Sequence, residues 1–176
     1  MASLKVFLFV LSLGLLQACG AENNQETSKV SSVIGGCPTD FLMPKAVIFD
    51  AVTICATKNV DQRKINHAAA VTAQWLDNDQ DGGVDEPRLI KALIENRPVV
   101  LMSPAGFSWR QMNKIEESLK DRIGQDLAAD ETAPNEGRDA SQEEIHHLIV
   151  TAGWTQFLPE VFSDELSRQS ALTKAW

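Results

Sequence analysis

Asp61-Gln-Arg-Lys-Ile65-Asn-His67-Ala-Ala-Ala-Val71-Thr-Ala-Gln-Trp75-Leu-Asp77-Asn-Asp79-Gln-Asp81-Gly-Gly83-Val-Asp85-Glu-Pro87 sets two signals end to end. Asp61 reads as an N-cap, since a short carboxylate can accept from the unpaired N–H groups of a first helical turn. Ile65, Ala68, Val71, Thr72, Trp75 and Leu76 then recur near the helical period, which predicts a helix to about Leu76 with one apolar stripe. Aspartates follow at alternate positions. Pro87 suits the opening of the next helix, expected over Arg88–Glu95, because a first-turn residue needs no N–H. The order is helix, acidic loop, helix.

Carboxylates at Asp77, Asp79 and Asp81 can converge on one cation while the backbone curls around it. Gly82 permits the tight turn, the Gly83 carbonyl can add an oxygen, and Val84 would pin the loop from inside. Asp85 can ligate directly or through water. These are the first nine positions of an EF-hand-like loop, and they imply calcium. Position twelve, where a bidentate glutamate belongs, is Arg88. Losing that ligand moves the expected affinity toward the ~10⁻⁴–10⁻³ M of extracellular modules. The expected role of the ion is structural, holding two helices together.

Outward from this unit, Lys45–Thr57 is dense in apolar residues and reads as one buried strand. Asn96-Arg97-Pro98 breaks the second helix, and Val99–Met102 reads as a second strand. Strand, helix, loop, helix, strand is a crossover unit, expected to be right-handed if the strands are parallel neighbours. Ser108 and Gln111 form a capping box for a helix to about Arg122, and Gly124–Asp139 reads as a polar loop. Ser141 and Glu144 form another capping box, opening a helix that Gly153 closes; Ser163–Trp176 reads as a last amphipathic segment. The expected fold is a small, mostly helical α/β domain over residues 37–176, with a short sheet.

The N-terminus carries a different message. Lys5 precedes the short apolar run Val6–Leu16, the form of a secretory signal and too short to span a membrane. Leu16-Gln17-Ala18-Cys19 resembles the bacterial lipobox, which implies removal of residues 1–18 and a lipid on Cys19. Gly20 after that cysteine favours the outer membrane if the cell is Gram-negative. Residues 19–36 are small and polar and read as a flexible tether. In the oxidising compartment this implies, Cys37 and Cys55 most simply form a disulfide; a free Cys55 or a metal ligand are the alternatives.

The chain has a net charge of −8; losing the signal leaves 15 basic against 24 acidic side chains, a net −9. That balance disfavours nucleic acid and anionic lipid as partners, so membrane attachment falls to the acyl chains. A protein or envelope partner is unspecified.

Glu143-Glu144-Ile145-His146-His147-Leu148-Ile149 places two of the three histidines on one helix. At about 100° per residue, Ile145, Leu148, Ile149 and Ala152 make the buried stripe. Glu144 and His147 flank one edge, Glu143 lies one turn from His147, and His146 projects from the other side. One reading is a Glu-x-x-His site, with Glu144 and His147 as catalytic candidates and His67 completing a zinc set with Glu143, Glu144 and His147. The other is an exposed helix pair worth a few tenths of a kcal/mol. The two-histidine H-E-x-x-H pattern is absent.

His67 to Val71, Gln74 to Asp79, Val84 to Pro87, and Glu143 to Ile149 with Gly153-Trp154 together resemble a family of exported bacterial and algal proteins lacking an assigned activity. Its members pair a D-N-D-x-D-G loop with a later E-E-x-x-H helix. The resemblance covers roughly Val47–Trp176, supports His67, Glu144 and His147 as candidates, and supplies no substrate. It also implies a longer chain, so Trp176 ending an amphipathic segment suggests a shortened one, with a further ligand beyond it. Two function classes follow: a calcium-binding envelope lipoprotein acting as a binding or structural module, and a zinc-dependent hydrolase or an inactive relative of one.

Overall fold

The computed structural model describes residues 36–134, 137–163, 165, 167 and 169–175. The signal segment 1–18, the lipidation site Cys19 and the tether to residue 35 lie outside the described residues, as does Trp176.

The apolar stretch expected as one strand is a hairpin. β1 (Met43–Ile48) pairs antiparallel with β2 (Val52–Ala56). The Ala51 N–H donates to the Ile48 carbonyl, and Phe49 and Asp50 both turn through positive φ, 48° and 55°. A tight turn of this kind usually announces itself with Asn-Gly or Asp-Gly. Phe49 continues the apolar run and hides it. β3 (Val99–Ser103) lies parallel to β2 as expected, and β4 (Gly124–Ala128) lies parallel to β3, giving the order β1-β2-β3-β4. β4 falls inside the stretch read as a polar loop. Within it only Leu127 is buried, so this strand at the edge of the sheet carries no alternating pattern to detect.

Helices cover both faces of the sheet. Val52, Ile54, Ala56, Val100, Met102 and Leu127 form the larger core with α1 (Gln62–Leu76), α2 (Pro87–Asn96) and α4 (Ala140–Ile149). The intervening residues Cys55, Val99 and Leu101 turn the other way, onto Ile115 of α3 (Trp109–Leu119) and Leu42. Cys37 and Cys55 are joined by a disulfide, with a Cα–Cα distance of 5.7 Å, which ties the chain ahead of β1 to the central strand β2. Both parallel crossovers step the same way across the sheet, yet α1 and α2 lie on one face and α3 on the other. They are therefore of opposite hand, and the right-handed preference holds for only one.

Asp61 and Ser108 start their helices as read from the sequence, while α2, with Pro87 in its first turn, takes its cap from Glu86. Asp61 accepts from the Arg63 N–H at 2.8 Å, Glu86 accepts from the Arg88 N–H at 3.0 Å, and Ser108 with Gln111 closes a capping box. α3 stops at Leu119, short of Arg122, because Lys120 turns to a φ of 56°. α4 is capped by Asp139 and not by Ser141, which sits in its first turn.

Gly153 does not end that helix. The chain runs on through a π-helical turn (Val150–Trp154) into α5 (Thr155–Phe157), and Gly153 lies where α2 crosses. A Cβ there would stand 2.3 Å from Leu89 Cδ1 and 3.2 Å from Leu93 Cδ2. The glycine serves close approach of two helices rather than a C-cap. α6 (Pro159–Phe162) and α7 (Ala171–Lys174) follow. Where the long amphipathic segment was expected, α7 is the α-helix among the described residues. Ser170 starts α7 by accepting from the Thr173 N–H at 3.1 Å, and such a cap favours a fresh start over a continuous helix.

Gly153→Ala should destabilise the domain by about 1–2 kcal/mol, because crowding against buried Leu89 and Leu93 outweighs the helix propensity gained. The urea midpoint with an unchanged m-value measures it; an equal or higher midpoint would show that the two leucines can give way.

Candidate metal centre

α1 delivers the acidic loop. Its last residue is Leu76, and Asp77 caps it with its N–H still bonded to the Ala73 carbonyl at 2.9 Å. The chain then turns at Gln80 and Gly82, with φ of 60° and 90°. Asp77 is 8 % exposed, and its two oxygens accept from the Asp81 N–H at 3.1 Å and the Gly82 N–H at 3.0 Å. Asp79 accepts from the Asp81 N–H at 3.2 Å. Asp85 is drawn back to the start of the loop, accepting from the Asn78 N–H at 2.7 Å while its own N–H donates to the Leu76 carbonyl at 3.0 Å.

Carboxylate oxygens of Asp77, Asp79 and Asp85 lie within 4.8 Å of one another, so this group could hold a metal ion. All its donors are hard oxygens, the chemistry of a divalent cation of the calcium or magnesium kind. Asp81, the third aspartate of the alternating series, is outside the group. Its Oδ1 accepts from the Gly83 N–H at 2.8 Å, a local turn that satisfies the carboxylate without the others. Gly83 meets the loop here through its N–H, and Val84 is half-buried. Arg88, at the twelfth position, pairs with Glu86 at 2.6 Å, and the hydrogen bonds from Arg88 hold the Glu86 carboxyl down at about 2.

The histidine-bearing helix is built differently from the sequence expectation. α1 and α4 do pack together. His67, however, meets Asp139 through Nε2 at 2.6 Å, not Glu144 or His147. Glu144 accepts from Gln125 Nε2 at 2.6 Å and so ties α4 to β4. Glu143 pairs with Arg138 and stands 3.9 Å from His147 Nε2. His67, Glu143, Glu144 and His147 therefore do not share a point; among the described residues the three loop aspartates are the one group of three or more such ligands that does. The helical spacing was right, but the interhelical partner was a capping residue that the sequence reading had passed over.

Asp139 is that residue. It accepts from the Ala133 N–H at 3.0 Å, the Ser141 N–H at 3.1 Å, the Ser141 hydroxyl at 2.6 Å and His67. Partial burial would raise its pKa, but the hydrogen bonds from Ser141, Ala133 and His67 outweigh that and bring it to about 2. His146 was expected on the other side of the stripe from Glu144 and His147, and no partner was assigned to it. Its ring lies on Trp75, centroids 4.8 Å apart, and burial followed by the neighbouring His147 lowers its pKa. The signal that could have found Asp139 is D-x-S ahead of a helix, in which either residue can cap.

Asp139→Ala should cost about 1–2 kcal/mol at neutral pH, the usual range for a lost N-cap. The folded carboxyl titrates near 2 against 3.8 in a free chain, so its contribution is complete above 3.8 and fades as pH falls through 2. The gap in melting temperature between wild type and variant should shrink across that window. A gap independent of pH would mean that the carboxylate charge plays no part.

No protein-family model matches this chain, and neither a curated protein nor a solved structure is significantly similar to it.

Proposed function

We propose that the protein is a calcium-stabilised module of the bacterial cell envelope, exported and held at the membrane by lipid on Cys19. The observation that carries the calcium reading is the cluster of Asp77, Asp79 and Asp85 oxygens within 4.8 Å. Among the described residues no lysine or arginine pairs with these aspartates, while Asp61, Glu86 and Glu143 each have an arginine. Like charges this close repel, and a divalent ion relieves that repulsion directly. Gly83 would add its carbonyl, and water the remaining oxygens. Asp81 could join through Oδ2 while its Oδ1 keeps the Gly83 N–H.

The ion's work in this reading is structural. It adds a tie between the last turn of α1 and the N-terminus of α2 to the hydrogen bonds that already shape the loop. The disulfide is compatible with export, and the N-terminal signal supplies the address. The resemblance to exported proteins carrying the same two motifs points the same way. A hydrolase built on His67, Glu143, Glu144 and His147 gains no support, because His67 turns to Asp139 and Glu144 to Gln125, away from the Glu143–His147 pair.

Trp75 stands two residues before Asp77, close enough to sensitise terbium. Terbium luminescence excited through tryptophan should appear, fall as calcium competes, and weaken about tenfold or more in apparent affinity with Asp79→Ala. Calcium should also raise the melting temperature, and chelator should lower it. Absence of sensitised emission together with a melting temperature indifferent to calcium would end the proposal.

A further inference from the structure

Between the last turns of α1 and the start of α4 lies an open cleft of about 550 Å³, lined by Trp75, Arg138, Asp139, Gln142, Glu143 and His146. Its size falls in the range of small-molecule sites, roughly 300–1,000 Å³. The wall is aromatic, with the Trp75 and His146 rings inclined at 39°. Trp75 belongs by spacing to the apolar stripe of α1, whose other members are all buried, yet it is 41 % exposed. The cleft thus presents part of an indole as a flat apolar plate, held in place by an imidazole, with charged and amide groups around it.

The pairing of those groups decides what the plate is for. A cationic ligand would have to draw Asp139 away from the four donors that fix its orientation and Glu143 away from Arg138. An anionic ligand would need unmet positive charge, but Arg138 is the partner of Glu143, and His146 is disfavoured from protonation by burial and by His147. What remains is a neutral ligand with one apolar flat face and hydrogen-bonding groups at its edge. A pyranose ring has this form: its C–H groups make a face and its hydroxyls a rim.

We infer that the cleft is a carbohydrate subsite, in which the C–H face of a neutral sugar stacks on Trp75 while Gln142, Glu143 and Arg138 meet its hydroxyls. Tryptophan suits such a role because it offers a large rigid contact with an apolar body. The planar amide, carboxylate and guanidinium can each donate to or accept from a pair of neighbouring hydroxyls. The site is distinct from the acidic loop and stands without it.

The test titrates the protein, in calcium-containing buffer, with three neutral glycans: the β-1,4-linked tetramer of N-acetylglucosamine, cellotetraose and maltotetraose. The readout is the indole N–H resonance of Trp75 in a proton–nitrogen correlation spectrum, assigned with Trp75→Phe. At about 10 mM, at least one glycan should move the Trp75 resonance and leave that of Trp109 in place. Binding to the variants is read by isothermal titration calorimetry, since Trp75→Ala removes the indole resonance: Trp75→Ala and Gln142→Ala should each weaken it about fivefold or more, and Gln142→Ala, an exposed change, should leave the melting temperature unaltered. No shift with any of the three overturns the inference. So does a Trp75 shift produced by tetramethylammonium or acetate in their place, or glycan binding that survives Trp75→Ala.

Discussion

One carboxylate holds the functional end of the molecule together. Asp139 stops the loop after β4 by binding the Ala133 N–H, starts α4 by binding Ser141, and reaches across to His67 on α1. Remove it and three things loosen at once: the loop, the first turn of α4, and the contact between the two helices that carry every candidate site residue beyond the acidic loop. A hydrogen-bonded acceptor at a helix N-terminus is a modest interaction taken singly. Here its value lies in being shared. Asp139 itself lines the cleft, where α4 begins beside Trp75.

α1 then links the two sites. His67 anchors its middle to Asp139, Trp75 faces the cleft from its last turn, and Asp77 closes that turn with oxygens turned to the loop backbone. A cation gripping Asp77 would therefore act two residues from the indole. The Asp77 oxygens accept from the Asp81 and Gly82 N–H groups, which gives the loop a defined shape.

The sequence made the central unit legible because its signals are local. Asp61, Pro87 and the stripe of α1 specify one helix start each or one face, and the structure places α1 and α2 where those residues put them. Cys37 and Cys55 were legible from compartment chemistry. Elements that depend on distant partners were hidden. β4 is a strand because β3 lies beside it, not because Gly124–Ala128 has a pattern, and the β1–β2 turn is masked by Phe49. Gly153 looked like a stop because a glycine near a helix end usually is one; what makes it necessary is Leu89, sixty-odd residues earlier in the chain. The Glu/His helix shows the same division. Its face was readable, but which of two adjacent carboxylates would meet His67 depended on how α1 and α4 cross, and the answer was neither.

The acidic loop and the cleft differ in how their carboxylates are partnered. Both contain aspartate or glutamate, yet the loop carboxylates are met by backbone N–H groups alone, which leave their net charge in place. Glu143 of the cleft is instead paired with Arg138, whose charge offsets its own. An uncancelled cluster of oxygens selects by charge and so suits a bare divalent ion. A cancelled one selects by hydrogen-bond direction and shape, since either sign of ligand would have to break an existing pair to bind. Adding positive charge to the loop should therefore abolish its attraction for a cation. Adding it to the cleft would instead create an attraction for anions that the native pairing suppresses.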